Sequence, residues 1–216
     1  MKEVYTKKAF AKKILLMLKK KYAKEMHTSL EFSSPWQLLV ATILSAQTQD
    51  ASVNNATKKL FAIYPRPQDY IHLKNKDLEK YIKSIGLYRS KAKYIIGAAK
   101  IIVDKFKGSV PSSMEELLKL PGVGRKTANV VLSNAFNINE GIAVDTHCIV
   151  VSNRLGLAKG DNATNVEREL MQNIDKKDWK NITHLFIALG RDTCTAKKKH
   201  CDRCVLQNIC PSSEIA

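Results

Sequence analysis

Long apolar runs are missing from this 216-residue sequence. No stretch approaches the roughly 20 residues that a membrane span needs, and the opening Met-Lys-Glu-Val-Tyr lacks the uninterrupted apolar core of a signal peptide. These absences predict a soluble, intracellular protein without a membrane partner. Strand-like alternation is also missing, as are low-complexity tracts, long linkers and any repeat of about 20 to 50 residues, which argues against sheet and solenoid architectures. Acidic residues are scarce: 20 Asp plus Glu face 36 Lys plus Arg, and the formal net charge of +16 makes a polyanion the natural partner. Nine of the lysines fall within the first 26 residues against Glu3 and Glu25 alone, on what reads as a basic amino-terminal helix with a largely solvated charged face. Hydrophobic residues at 44% and charged residues at 26% exclude disorder.

What is present is helical periodicity. Leu78, Tyr81, Ile82 and Ile85 follow the i, i+3, i+4, i+7 spacing, and Ile95, Ile96, Ala99, Ile102, Val103 and Phe106 continue it. Ser34-Pro35-Trp36-Gln37, Ser113-Met114-Glu115-Glu116 and Thr164-Asn165-Val166-Glu167 each have capping-box form, and Gly86, Gly108 and Gly156 stand where carboxy-terminal caps belong. The segment from Trp36 to Leu44 is apolar almost all round, which predicts a buried central helix. The expectation is an all-α protein of about ten helices, with domain borders in short turns near Met26 to Leu30 and Asn137 to Gly141. The tail after residue 140 is too small and cysteine-dependent to stand alone, so the basic first helix is expected to pack on it as a discontinuous second domain.

Within that pattern, Leu117-Leu118-Lys119-Leu120-Pro121-Gly122-Val123-Gly124-Arg125-Lys126-Thr127-Ala128 reads as helix, tight turn, helix. Gly122 and Gly124 permit positive φ and close backbone approach, and the second helix begins with unpaired amides beside a positive dipole end, an arrangement that grips phosphate without reading bases. A plain turn between two helices is the alternative. Nucleotide-binding loops fail on spacing, since Thr127 stands at the last glycine of GxGxxG and Arg125 directly before the lysine of a P-loop. Lys126 lies in the first turn of a helix whose end disfavours a positive charge by roughly 0.3 to 1 kcal/mol. It reads either as a solvated or phosphate-bound charge or as a nucleophile. Lowering a lysine pKa from about 10.4 to near 7 costs on the order of 4 to 5 kcal/mol, so the nucleophile requires a partly desolvated pocket. Asp145, in Ala143-Val144-Asp145-Thr146-His147, is at once a good helix cap and the candidate carboxylate to stabilise an oxocarbenium-like sugar.

Four of the five cysteines crowd the last 23 residues as Cys194-x6-Cys201-x2-Cys204-x5-Cys210. Four thiolates at this spacing suit a closed metal site, either [4Fe-4S] or zinc, better than disulfides. Lys197, Lys198 and Lys199 project from the loop between the first two ligands as a candidate phosphate clamp. Cys148, among Ile149, Val150 and Val151, reads as a buried core thiol.

The hairpin with Lys126, the Ala143 to His147 segment and the cysteine tail, in this order, resemble the endonuclease III family of helix-hairpin-helix DNA glycosylases from about Trp36 to Cys210. The resemblance implies two domains: a six-helix barrel module over 28–138, with the helix-hairpin-helix at about 113–135, and a [4Fe-4S] domain built from 1–27 and 139–216. DNA would lie in the groove between them. It also implies base excision repair by a bifunctional enzyme, removing oxidised pyrimidines such as thymine glycol from duplex DNA and nicking the abasic strand by β-elimination. Lys126 then matches the Schiff-base lysine, Asp145 the catalytic aspartate, and Cys194, Cys201, Cys204 and Cys210 the cluster ligands. Gln47, in Ser45-Ala46-Gln47-Thr48-Gln49-Asp50, matches the glutamine that fills the gap left by a flipped base, and Leu87 the leucine that wedges the opposite strand. Gly122, Gly124 and Arg125 join them as DNA contacts. Gln49 stands where many members carry Thr and Val150 where many carry Arg, which would remove one phosphate contact. Related adenine-removing enzymes lack the lysine at position 126 and usually carry a further carboxy-terminal domain. A monomer in a prokaryotic cytoplasm, associated with the nucleoid, is the implied setting, and a non-catalytic helix-hairpin-helix DNA-binding protein is the alternative.

Overall fold

The structure is a computed structural model that describes residues 6–215; the first five residues of the expected 1–27 segment and Ala216 lie outside the described residues. Ten α-helices and four short 3-10 turns make up the described residues, with a lone antiparallel bridge between Cys194 and Lys199 in place of any sheet. No helix among them is long and apolar enough to cross a membrane. The chain divides into two compact units, one running from Ser29 to Glu140 and the other made of residues up to Thr28 with those from Gly141 onward.

The central unit is organised on α2 (Pro35–Ser45), in which every residue from Trp36 to Leu44 is buried, as a helix apolar on all sides must be. Around it stand α3 (Asp50–Ile63), α4 (Asn75–Ile82), α5 (Tyr88–Phe106), the single-turn α6 (Met114–Leu117) and α7 (Arg125–Ala135), with α3, α5 and α7 packed directly on α2. Leu38, Leu39, Leu44, Leu60, Leu78, Ile95 and Leu132 are fully enclosed, each contributing roughly 1.5 to 3 kcal/mol of hydrophobic stabilisation.

In the other unit, α1 (Lys7–Lys21) buries Ala11, Ile14, Leu15 and Leu18 along one stripe and leaves its lysines largely in water. It packs on α9 (Ala163–Asn173) and α10 (Trp179–Asp192), while α10 packs on α8 (Thr146–Arg154). Lys19 donates to Asp178 at 2.5 Å and the Tyr22 hydroxyl to Asp192 at 2.8 Å, tying the first helix to the second half of the chain. Leu206, lying between two of the tail cysteines, is fully buried and pins the tail to the same core as Phe186 and Leu189.

Two of the three expected boxes supply their serine cap without the return bond to the cap residue's own amide. Ser34 accepts from the Gln37 amide, and Ser113 accepts from the Glu116 amide while donating to its carboxylate. The third is displaced: Asn162, not Thr164, caps α9 by accepting from the Asn165 amide at 3.1 Å, and Glu167 is buried with Oε1 accepting from the Ile142 amide. Gly108 and Gly156 adopt left-handed φ of 83° and 69° after α5 and α8, but Gly86 does not. The left-handed residue there is Leu87, which opens α5 instead of closing α4.

Candidate nucleic-acid interface and cysteine pocket

The hairpin starts from the Ser113 cap. α6 stops at Leu117, and the chain turns ahead of Pro121, whose ring disfavours helical backbone at Leu120. Leu120 N–H then bonds to Leu117 O at 3.1 Å and Val123 N–H to Leu120 O at 3.2 Å, a tight turn anchored by the buried Val123 side chain. Gly122 has φ of 77°, and a Cβ placed on it would lie 2.8 Å from Tyr94 Cβ. Gly124 caps α7 with φ of −95° and nothing within 4 Å of a would-be Cβ, so its bareness answers no need inside the protein. No side chain caps this helix end, and its positive dipole end lies beside Arg125 and Lys126. Lys126 is exposed, so the partly desolvated amine expected from sequence is not found in the free protein.

Gln47 and Leu87 are both exposed, and both adopt left-handed backbone, with φ of 55° and 58°. Such conformations cost a non-glycine residue roughly 1 to 2 kcal/mol, and persist where the surroundings enforce them. Leu87 leaves 65% of its surface in water, comparable with Leu16 at 62%, so its backbone and not its exposure sets it apart.

Asp145 follows the buried run Ile142, Ala143, Val144 and caps α8, its Oδ1 accepting from the Cys148 amide at 2.8 Å. Its second oxygen lies 3.4 Å from His147 Nδ1, and only 15% of the side chain is exposed. The cap thus fixes one oxygen and leaves the carboxylate's charge at the edge of the helix.

Cys194, Cys201, Cys204 and Cys210 line one pocket, with no disulfide among the described residues. Arg154, at the far end of the helix that Asp145 caps, donates to Cys194 Sγ at 3.2 Å and to the carbonyls of Cys194, Thr195 and Ala196. The Leu206 amide lies 3.4 Å from Cys204 Sγ. Burial pushes the Cys204 and Cys210 thiols up, so a cationic centre is what would hold them as thiolates. Among the described residues no group of three or more His, Cys, Asp or Glu is arranged to hold a single metal ion. Four soft donors around one pocket, with N–H groups aimed at two sulfurs, fit an iron–sulfur cluster. In the expected lysine clamp, Lys197 and Lys198 are exposed, while the Lys199 amine pairs with Glu214 at 2.7 Å and donates to Ser212 O at 3.0 Å. Cys148 is a fully buried core thiol.

Sequence reasoning passed over two residues. Arg154, in the last turn of α8, carries no local sign of its reach to Cys194. Lys91 sits at a position of α5 that the apolar period assigns to the core, and that intrusion was the signal.

A family model described as HhH-GPD superfamily base excision DNA repair protein matches residues 40–176. The chain is 47% identical to endonuclease III of Synechocystis sp. over 99% of its own length and 97% of the relative's, and 44% identical to that of Escherichia coli K12 over 87% and 88%. Among solved structures, a trapped endonuclease III–DNA covalent intermediate superposes with a TM-score of 0.89 at 43% identity over 97% of both chains. A thermostable thymine-DNA glycosylase, with a TM-score of 0.78 at 23% identity, shares the fold. The chain belongs to the endonuclease III family of the HhH-GPD base excision DNA repair superfamily.

Proposed function

We propose that this protein is a base excision repair enzyme, a bifunctional DNA glycosylase and abasic-site lyase acting on oxidised pyrimidines in duplex DNA. The observation that carries the reading is the likeness, over 97% of both chains, to an endonuclease III trapped covalently on DNA. A covalent intermediate needs a nucleophile, and the hairpin offers Lys126 at its tip, exposed to an incoming strand.

Backbone amides of the Gly122 to Gly124 turn, with Arg125, Lys197 and Lys198, engage phosphates. The damaged nucleotide leaves the stack, Gln47 occupies its place and Leu87 enters the opposite strand, offsetting part of the few kcal/mol that unstacking costs. An ordinary lysine is protonated at neutral pH, so packing against the everted sugar supplies the desolvation that the free protein lacks. Neutral Nζ attacks C1′ and the C1′–N bond breaks, the base leaving with the electron pair and gaining a proton. Asp145 stabilises the positive charge developing on the sugar. Ring opening gives the imine, its C2′ proton is removed, the C3′–O bond breaks with loss of the 3′ phosphate, and water hydrolyses the imine to free the amine. Cys194, Cys201, Cys204 and Cys210 would hold a [4Fe-4S] cluster that fastens the tail, with no step of the reaction passing through it. The relatives' bacterial sources favour a prokaryotic cytoplasm, at the nucleoid, where the protein is taken to act as a monomer.

Incubation with duplexes bearing one thymine glycol tests the reading. Base release followed by a nick with a 3′ unsaturated aldehyde end is expected. Binding without base release would establish the non-catalytic alternative, and a colourless protein containing stoichiometric zinc would overturn the cluster assignment.

A further inference from the structure

Lys91 is only 3% exposed, on the face of α5 that packs into the core. Its ammonium meets three acceptors, the carbonyls of Leu44 at 2.8 Å and Ala46 at 2.6 Å and the hydroxyl of Thr48 at 3.1 Å. All three are uncharged and belong to the end of α2 and the turn beyond it. α2 ends at Ser45 with Ala46, not a glycine, as its cap residue, so this remote lysine satisfies carbonyls that the helix leaves over and sits at the negative end of its dipole. The turn it clasps contains Gln47. One helical turn before it stands Leu87, whose carbonyl accepts from the Lys91 amide at 3.1 Å. Gly86 lies between the two turns: a Cβ there would be 3.9 Å from both Gln47 O and Thr48 Oγ1.

We infer that Lys91 is a positioning residue whose ammonium clasps the Gln47 turn to the Leu87 turn, presenting the two side chains as one preset pair. The inference rests on the proposed roles of Gln47 and Leu87 in DNA. Two adjacent left-handed non-glycine residues relax to ordinary backbone when nothing enforces them, and either relaxation would re-aim a side chain by more than an insertion can tolerate. A lysine that served packing alone would affect stability and leave this pairing untouched.

The test uses the full-length protein with Lys91→Met, which keeps the side chain's length and removes its donors, and Thr48→Val, which removes one acceptor on the surface side. Amide hydrogen exchange of the free proteins should speed up by about tenfold or more in residues 46–49 and 86–89 together, with the 118–128 hairpin unchanged. Preference for duplex with a tetrahydrofuran abasic analogue over undamaged duplex should fall about 10- to 100-fold, because misplacement on the order of 1 Å costs that much, while affinity for undamaged duplex holds. Thr48→Val should shift both readouts the same way by less, and decides the matter if Lys91→Met does not fold. Folded variants with unchanged exchange in either segment, or with undiminished abasic preference, would overturn the clasp. A wild-type protein lacking abasic preference would instead remove the functional reading beneath it, and the exchange data would still settle the clasp.

Discussion

Gly122→Ala and Gly124→Ala look like the same change two residues apart, yet the hairpin geometry separates them. At Gly122 the φ of 77° costs an alanine roughly 1 to 2 kcal/mol. The added methyl would also sit 2.8 Å from Tyr94 Cβ and 3.0 Å from its Cγ, atoms that cannot swing aside because they are fixed close to the α5 backbone. Overpacking of this kind typically costs about 1 to 3 kcal/mol, so the pair of effects totals roughly 2 to 5 kcal/mol unless the hairpin moves away. At Gly124 the φ of −95° suits any residue and the methyl meets nothing within 4 Å. The reduced freedom of the unfolded chain stabilises by about 0.4 to 1 kcal/mol, and the poorer helix cap offsets most of it. Urea unfolding at unchanged slope should therefore show a clear midpoint loss for Gly122→Ala and almost none for Gly124→Ala. Duplex affinity at fixed salt should fall for both, since the Gly124 methyl stands where a phosphate would approach. Equal stability for the two variants would refute the steric argument. Undiminished DNA binding by a folded Gly124→Ala would refute the assignment of that bare surface to phosphate.

The caps and cations make further separable predictions. Asp145→Asn should retain the α8 cap and unfold within about 0.5 kcal/mol of wild type, whereas Asp145→Ala should lose about 0.5 to 2 kcal/mol; both should slow base release, because only the carboxylate carries charge. A salt titration of duplex binding should lose about 0.9 in slope for each phosphate contact removed by Lys197→Ala or Lys198→Ala. Lys199→Ala should leave that slope nearly unchanged, its amine being committed to Glu214 and Ser212.

The helices were legible because period and caps agree locally: the all-round apolar stretch from Trp36 to Leu44 is buried as its composition demands, and Ser34 and Ser113 cap as written. Thr164 misled because Asn162 offers an equally good acceptor two residues earlier, and because Glu167 finds a better partner in the distant Ile142 amide than in its own cap. The hairpin, Asp145 and the four cysteines were legible as motifs, since each is a short-range pattern. What the sequence hid was long-range. Nothing local says that Lys91 reaches across 47 residues to Leu44, that Arg154 reaches across 40 to Cys194, or that Lys199 pairs with Glu214. The left-handed backbone at Gln47 and Leu87 was hidden as well, because neither residue type favours it.

Reductive trapping decides whether Lys126 is the attacking amine. With borohydride present, the protein should become covalently attached to a duplex containing one abasic site, and peptide mass spectrometry of the adduct should place the sugar remnant on Lys126. The Lys126→Ala variant, folded and still binding DNA, should give no adduct. Trapping that survives the substitution, or a remnant found on another amine, would contradict the account.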